Sequence, residues 1–466
     1  MTLSGQLASL TLARLSQLIA SKEISPVAVL RGYLDRIDRL DGRLNSFNSL
    51  RAEAALEEAG AAEREILRGR RRGPLHGVPL GIKDLIDVGG LPTTAQAAHR
   101  RDAVAQADAG VVATLKASGA VILGKQATHE YAVGGTQFDL PWPPTRNPWD
   151  VDLDPLGSSC GSAVAVAAGL CAGSVGSDTA GSIRDPAAWC GVAGLKPTDG
   201  LVSRRGLLPL SPSMDCIGPI AWTAEDCALM LAGMVSSDAG DRAAPGFRAP
   251  DLNRLTLGTD GLRIGVVRHF YEADPDVDAE VLEAMDRSLD ALARLGARLS
   301  TVRLAEFDLF CATARKISWP EEFAAHGEEL LAFPERFGAV TRSRLEDGRD
   351  VPAFEYVRAG WRRQVLTAEL AQAMRDVDLL VLPTVKKPAQ VLGFEATPIG
   401  RVELSLTRPF NLTGSPALSI CNGFTPAGLP LALQLVGRPF EDDIVLQAGD
   451  ALERALDLRS RRPAVN

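Results

Sequence analysis

Two short loops rich in glycine and serine, with a lysine upstream, are the residues of this sequence whose types and spacing could do chemistry. The first loop covers residues 157–162 (GSSCGS) and the second covers residues 177–182 (SDTAGS). Glycine lets a backbone turn tightly and lets a substrate approach it closely, and serine adds a hydroxyl. Brought together, the two loops could supply a nucleophile and a set of convergent backbone N–H donors.

The upstream lysine is Lys83, which directly follows the apolar run 77–82 (GVPLGI). This run is typical of a short buried strand. A lysine at the end of such a strand is expected to be desolvated, and desolvation lowers its pKa toward that of a usable base. On the residues alone, a purely structural lysine remains the more common alternative.

The glycine and serine loops have three other interpretations. They could form the start of a helix packed with small residues, which is the more common role of such residues. A phosphate-binding loop requires GxxxxGK[ST], and residues 157–162 have no lysine after the glycine. A penicillin-binding type of site requires SxxK followed by KTG, and that pair is absent from the sequence.

The ordered set of lysine and two serines decides between these interpretations, because it resembles the amidase signature hydrolases. Their hallmark is approximately GGSSGGS followed by TDTGGSIRIPAxxCGxxGLKPT, and this chain has GSSCGS followed by SDTAGSIRDPAAWCGVAGLKPT. The family lysine lies in a GIKD-like motif, which places it at Lys83. Ser158 lies 75 positions after Lys83, and Ser182 lies 24 positions after Ser158, separations similar to those of the family.

The resemblance implies a Ser–cis-Ser–Lys triad. Ser182 would be the nucleophile, Ser158 a proton relay that follows a cis peptide bond, and Lys83 the neutral base. The oxyanion would be bound by backbone N–H groups of four consecutive residues, namely Thr179, Ala180, Gly181 and Ser182.

Further residues take supporting roles by the same resemblance. Ser159 and Asp178 are expected to support the two loops, and Arg184 is expected to be a buried structural ion-pair partner rather than a substrate clamp. His129 is interpreted as structural, since family members use no base there.

The chain departs from the family pattern at three positions. Ala180 replaces the usual glycine, Asp185 replaces a common apolar residue, and Cys160 replaces a glycine or serine. These departures leave the triad intact, but they make the substrate harder to infer.

Composition excludes several other classes of protein. The 466 residues are 46% hydrophobic and 23% charged, as in an ordinary globular protein, and the formal charge is −8. An acidic chain is a poor nucleic-acid binder, because phosphate binding needs clustered Lys and Arg. The basic run 70–72 is interpreted as a solvated loop or helix end.

Cysteine usage and hydropathy predict a cytoplasmic protein that does not bind membranes. The seven cysteines are scattered without a CxxC pair, which indicates reduced thiols rather than a zinc site or a disulfide framework. The first 22 residues contain no long apolar segment typical of a secretory signal. No run approaches the ~18 apolar residues of a membrane span.

The pattern along the chain predicts an α/β fold. Ser25 and Pro26 are typical of a helix start. Residues 262–267, 277–295 and 298–304 are predicted to form a strand, a helix and a parallel strand.

The resemblance covers nearly the whole chain and implies an α/β/α sandwich with a large mixed, mostly parallel β-sheet covered by helices. We expect one amidase domain over residues 1–466. Residues 305–375, which are the least family-like, are expected to form a variable helical cap over the site.

The predicted function is hydrolysis of the C–N bond of a small or aryl amide through an acyl-serine intermediate, with no metal or organic cofactor. A carbamate (urethane) substrate is an alternative. Two further alternatives are the A subunit of a glutamine-dependent tRNA amidotransferase and a catalytically silent binding member of the family. Family members are often dimers, so a homodimer is one expected assembly.

Overall fold

The computed structural model describes residues 3–236, 238, 240–241, 249–394 and 403–465. The helices are α1 (Leu3–Leu7), α2 (Leu12–Ala20), α3 (Pro26–Leu44), α4 (Ala52–Leu67), α5 (Gly110–Ala117), α6 (Cys160–Ala167), α7 (Arg184–Cys190), α8 (Ala224–Met234), α9 (Ala279–Arg294), α10 (Phe307–Ala332), α11 (Ala339–Arg349), α12 (Ala353–Ala373), α13 (Arg408–Leu412) and α14 (Asp442–Leu456). The strands are β1 (Phe47–Leu50), β2 (Pro79–Lys83), β3 (Val121–Gln126), β4 (Gly173–Asp178), β5 (Ala193–Lys196), β6 (Cys216–Ala221), β7 (Arg263–Val266), β8 (Arg298–Thr301), β9 (Leu379–Pro383), β10 (Ala417–Phe424) and β11 (Pro430–Val436).

The eleven strands of the described residues form one mixed sheet, in the order β1-β3-β2-β4-β6-β5-β10-β11-β9-β7-β8. Only the pairs β2–β3, β2–β4, β7–β8 and β7–β9 are parallel. The other six pairs are antiparallel. The prediction of a mixed sheet is therefore confirmed, but the expected parallel majority is wrong. Short local connections between strands of the central and C-terminal parts produce antiparallel neighbours.

Helices cover both faces of the sheet. On β3, Ile122 belongs to one hydrophobic cluster, whereas its neighbours Val121 and Leu123 belong to another. Successive strand residues point to opposite faces, so these clusters are the two sides of the sheet. The first contains residues of α2, α5, α8, α9 and α14, and the second contains residues of α3, α4, α6 and α7. The predicted α/β/α sandwich is confirmed.

Local sequence signals place several elements as predicted. Ser25 is the N-cap of α3, its hydroxyl accepts a hydrogen bond from the Ala28 N–H, and Pro26 occupies the first helical position. The predicted strand–helix–strand unit corresponds to β7, α9 and β8, and its two strands pair in parallel. The second strand of this unit is shorter than expected, since β8 stops at Thr301.

The sheet brings the two catalytic candidates of the sequence to one edge. β2 ends at Lys83, β4 ends at Asp178, and these strands are parallel neighbours. The carboxyl ends of parallel neighbours lie at the same edge of a sheet, so the GIKD lysine and the second glycine-rich loop meet there.

Residues 307–373 contain the helices α10, α11 and α12. The assignment of the surrounding segment as a variable cap on a single domain stays a prediction. In the described part of the chain, every helix is too short or too polar to cross a bilayer.

Candidate active site

Lys83 is fully buried at the end of β2, and its amine contacts two serines. Its Nζ lies 2.7 Å from Ser158 Oγ and 3.0 Å from Ser177 Oγ. Burial lowers the pKa of Lys83 to about 7, an effect that the charges around Asp178 and Asp215 only partly oppose. At neutral pH a large share of this lysine is therefore the free amine, which can accept a proton.

Ser158 and Ser182 come from different loops and line the same cavity. Ser158 precedes α6, and the peptide bond between Gly157 and Ser158 is cis, as the resemblance implied. Ser182 lies between β4 and α7. The two loops are joined by the backbone, because the Ser159 N–H donates to the Ser182 carbonyl over 3.1 Å.

Ser159 also fixes the first loop to the sheet. Its hydroxyl lies 3.1 Å from the Ser177 carbonyl and 3.3 Å from the Ser177 N–H nitrogen. The residue at position 176 must be small, because a Cβ on Gly176 would contact the Ser159 hydroxyl. The expected supporting position of Ser159 is thus where the structure places it.

A buried ion pair between Asp178 and Arg184 shapes the second loop. Arg184 Nε lies 3.0 Å from Asp178 Oδ2, and both side chains are fully buried. The remaining guanidinium N–H groups donate to Asn411, Gln434 and the Thr407 carbonyl. Arg184 and Asn411 hold the pKa of Asp178 well below its usual range, against the opposing effect of burial. Arg184 is therefore occupied within the protein and lies away from the cavity lining.

The Asp178 carboxylate also binds backbone N–H groups of the loop. The Gly181 N–H donates to Asp178 Oδ1 over 2.7 Å, and the Ile183 N–H donates to Oδ2 over 3.2 Å. Gly181 has φ +125°, and a Cβ there would overlap Asp185 and Thr407, so only glycine fits. Of the four N–H groups expected to bind an oxyanion, that of Gly181 already has an acceptor.

The other three expected oxyanion donors border the cavity. Thr179, Ala180 and Ser182 line it, and within the described residues their N–H groups make no hydrogen bond to protein. The Thr179 side chain is fixed by Asp215, whose Oδ1 accepts its hydroxyl over 2.6 Å. The assignment of an oxyanion site to residues 179–182 stays a prediction.

The cavity has a volume of about 550 Å³ and a mixed lining. Helices α10 and α11 contribute to one wall, where Arg315, Trp319, Glu322 and Arg344 lie. The opposite side is lined by Asp185 and by a short segment that contains Glu403, Leu404, Ser405 and Arg408. Both charges and apolar surface are available to a substrate, which suits a small polar molecule with an apolar part.

His129 lies beside the cavity as a neutral imidazole. Burial, with the nearby Lys83, lowers the pKa of His129 to about 4. A Cβ on Gly157 would overlap its ring, so the imidazole packs directly on the first loop. A group with so low a pKa is a weak base, in agreement with the structural interpretation.

Cys160 begins α6 and is buried. Burial raises the pKa of its thiol to about 11, so the sulfur is a neutral thiol. Its Sγ lies 3.5 Å from Thr145 Oγ1. Cys160 therefore packs beneath the first loop as a small apolar group.

Several residues of the site were missed from sequence. Ser177 lies within the second loop, and its position at the end of β4, two residues from the cavity, was an available signal. Ser405, Thr407 and Asn411 lie in the segment 403–411, where a cluster of hydroxyl and amide side chains in an apolar context was a further signal. Glu403 and Arg408 carry no sequence signal for their pairing.

Within the residues that the structure describes, no three His, Cys, Asp or Glu side chains come together as a metal-binding group. The polar groups around Lys83 are hydroxyls, which suit proton transfer.

A large α/β/α sheet with a buried lysine beside two serine loops defines the amidase class of hydrolases. The sequence model of the amidase family matches residues 28–446, which is most of the chain. The chain belongs to this family and is a hydrolase of linear C–N bonds.

Three known proteins illustrate the similarity. The A chain of the glutamyl-tRNA(Gln) amidotransferase of Moorella thermoacetica is 36% identical, with 97% of this chain and 98% of that protein covered. A protein solved with an inhibitor, in work on a vestigial complex and the origins of an s-triazine catabolic enzyme, is 32% identical with a TM-score of 0.89, covering 96% of this chain and 98% of that chain. The peptide amidase of Stenotrophomonas maltophilia is 29% identical with a TM-score of 0.84, covering 98% of each chain.

Proposed function

We propose that the protein hydrolyses a small or aryl amide through an ester with Ser182. The observation that carries the proposal is the buried Lys83 amine, which lies 2.7 Å from Ser158 Oγ and has a pKa of about 7. A neutral amine beside a hydroxyl that opens on a cavity is a proton acceptor in the position that a serine nucleophile requires.

The first half of the reaction forms the acyl-enzyme. Ser182 Oγ attacks the substrate carbonyl carbon, its proton passes to Ser158 Oγ, and the Ser158 proton passes to Lys83 Nζ. The C–N bond then breaks, and the proton returns from Lys83 through Ser158 to the leaving nitrogen. Backbone N–H groups of the loop 179–182 stabilise the oxyanion, where losing one donor costs about 3 kcal/mol of barrier.

The second half returns the enzyme. Water attacks the ester carbon and loses a proton along the same path to Lys83. The C–O bond to Ser182 breaks, the proton returns to Ser182, and the acid leaves. A carbamate would follow the same steps and release an amine, carbon dioxide and an alcohol.

The experiment is a hydrolysis panel with the wild-type chain and Ser182→Ala. The panel contains short-chain amides, anilides, C-terminal peptide amides, ureas and carbamates, and the readout is the released amine or ammonia. The proposal expects turnover of at least one amide that Ser182→Ala lacks. Turnover that persists in Ser182→Ala would contradict the mechanism, and turnover of carbamates alone would favour the urethanase alternative.

A second candidate is a role as the A subunit of a glutamine-dependent tRNA amidotransferase. It is favoured by the 36% identity to one such protein over almost its whole length. Glutamine is therefore included in the panel, with and without the partner proteins of an amidotransferase. Glutaminase activity that appears only with those partners would favour this candidate over an independent amidase.

A further inference from the structure

Asp185, in the first turn of α7, is an acidic residue that faces the cavity beside the predicted oxyanion loop. It is 7% exposed and lines the cavity with Ala180 and Ser182. Its backbone N–H donates to the Gly181 carbonyl over 2.7 Å, so the residue is part of the loop's own hydrogen bonding. The mechanism above does not use its side chain.

A chain of three oxygen–oxygen contacts leads from the Asp185 carboxyl to the loop. Asp185 Oδ1 lies 2.8 Å from Ser405 Oγ, and Ser405 Oγ lies 2.6 Å from Thr407 Oγ1. Thr407 Oγ1 lies 2.9 Å from the carbonyl oxygen of Ala180. Each contact is short enough to require one hydrogen between its two oxygens.

Counting those hydrogens fixes the protonation of Asp185. A carbonyl only accepts, so the single Thr407 hydroxyl hydrogen points at Ala180. The contact between Ser405 and Thr407 then takes the single Ser405 hydrogen. The contact between Ser405 and Asp185 still needs a hydrogen, and only a carboxylic acid can supply it. An ionised Asp185 would leave two of these oxygens facing each other with no hydrogen between them.

We propose that Asp185 is a neutral carboxylic acid in the resting enzyme and acts as a positioning residue for the oxyanion loop. It donates to Ser405, Ser405 donates to Thr407, and Thr407 donates to the Ala180 carbonyl. The opposite side of the same peptide unit, the Gly181 N–H, donates to Asp178. The Ala180–Gly181 peptide is thereby held from both sides, next to the N–H groups of Ala180 and Ser182.

The surroundings agree with a neutral acid. Burial raises the pKa of Asp185 well above its usual range, and the charges of Asp178 and Glu403 raise it further. The opposing cations are Arg184 and Arg408. Arg184 is already bound by Asp178, and Arg408 is paired with Glu403.

This inference deepens the proposed function and rests on it for its kinetic consequence. A charge on Asp185 would lie beside the oxyanion and would oppose its formation. It would also reverse the direction of the hydrogen bond to Ser405. The rate should therefore fall at high pH as Asp185 ionises, after rising through the pKa of Lys83.

The first test is independent of any substrate. Infrared difference spectra at pH 7 compare the wild-type chain with Asp185→Asn. We expect the variant to lose a carboxylic acid C=O stretch, whereas the control Asp274→Asn, whose carboxylate is paired with Lys386, loses carboxylate bands. In Ser405→Ala the acid band should remain and shift in frequency, because its acceptor is gone. A carboxylate band lost from Asp185→Asn would overturn the proposal, even if the chain proves to be an active amidase.

The second test uses the pH profile of kcat/KM on a substrate from the panel. In Asp185→Asn the amide N–H can still donate to Ser405, so the rate should return to within about threefold of the wild type, and the alkaline limb should disappear. Asp185→Val and Ser405→Ala break the chain, and each should lower kcat about tenfold with little change in KM, because one hydrogen bond of ~1 kcal/mol is lost. Their double variant should lose no more than either single variant.

The outcomes of the kinetic test separate the two levels of the account. An alkaline limb that persists in Asp185→Asn, or additive losses in the double variant, would contradict the positioning role. Absence of turnover in every variant and in the wild type would contradict the proposed function, and the infrared result would still decide the protonation of Asp185.

Discussion

The amine nitrogen of Lys83 lies 2.7 Å from the hydroxyl oxygen of Ser158, although the two residues are 75 positions apart in the chain. The contact exists because β2 and β4 are parallel neighbours and α6 begins against their shared edge. Ser158 opens on the cavity, whereas Lys83 is fully buried. A proton can therefore reach the lysine through the serine while solvent is excluded from the amine.

The pH dependence of activity should follow Lys83. Its pKa is lowered to about 7, so the basic amine is present above that pH, and kcat/KM should rise with pH through about 7. Lys83→Arg should lower kcat/KM by about 10²–10⁴-fold, because a guanidinium stays protonated and cannot act as the base.

The matched control for that variant is Lys116→Arg, which changes a partly exposed lysine paired with Asp108. It should keep the wild-type profile. A profile in which Lys83→Arg retains the rise through about pH 7 would assign that rise to another group.

Gly181→Ala should reduce activity while the protein still folds. Gly181 has φ +125°, and a Cβ there would overlap Asp185 and Thr407, so the loop must move. A displaced oxyanion loop should cost about 10²-fold in kcat.

Gly42→Ala, in an open position of α3, is the control and should be neutral or slightly stabilising. Thermal unfolding and kcat are measured together for both variants. Full activity in Gly181→Ala would show that the loop geometry is not required.

Arg184→Ala should destabilise the fold strongly. It leaves the Asp178 carboxylate buried with fewer donors, and breaking a buried pair in this way costs about 3–5 kcal/mol. The free energy of unfolding in urea is the measurement.

Arg303→Ala removes an exposed pair with Glu306 and should change stability by about 0–1 kcal/mol. Equal losses in the two variants would mean that Arg184 contributes no more than a surface charge.

Substrate choice should depend on the wall formed by α10. Trp319 lines the cavity, so Trp319→Ala should raise KM about tenfold for anilides and less for short-chain amides, because a lost apolar contact is worth ~1–3 kcal/mol. Trp361→Ala on α12 is the control, since Trp361 is 64% exposed and lies outside the lining. An unchanged ratio of KM values in Trp319→Ala would remove α10 from substrate selection.

The sequence alone was sufficient for the residues that lie close to the two glycine-rich loops and for the strands that precede them. Lys83, Ser158 and Asp178 are found by type and order, because small residues, a strand end and a hydroxyl leave a local pattern. The antiparallel majority of the sheet was not predictable in this way, since pairing direction depends on how distant strands are placed.

Long-range partners were missed for the same reason. The contact between Asp185 and Ser405 joins positions 220 residues apart, and neither residue type signals the other. The contributions of Trp319 and Glu403 to the cavity likewise depend on how α10 and the segment after β9 pack over the loops.

The most direct test of the account is the intact mass of the chain after incubation with a fluorophosphonate, followed by peptide mapping. Such a probe phosphonylates a serine that a neighbouring base has activated. The account predicts one adduct, on Ser182, that is absent in Ser182→Ala and strongly reduced in Lys83→Ala. An adduct on another residue, or equal labelling in Lys83→Ala, would contradict the claim that Lys83 activates Ser182 through Ser158.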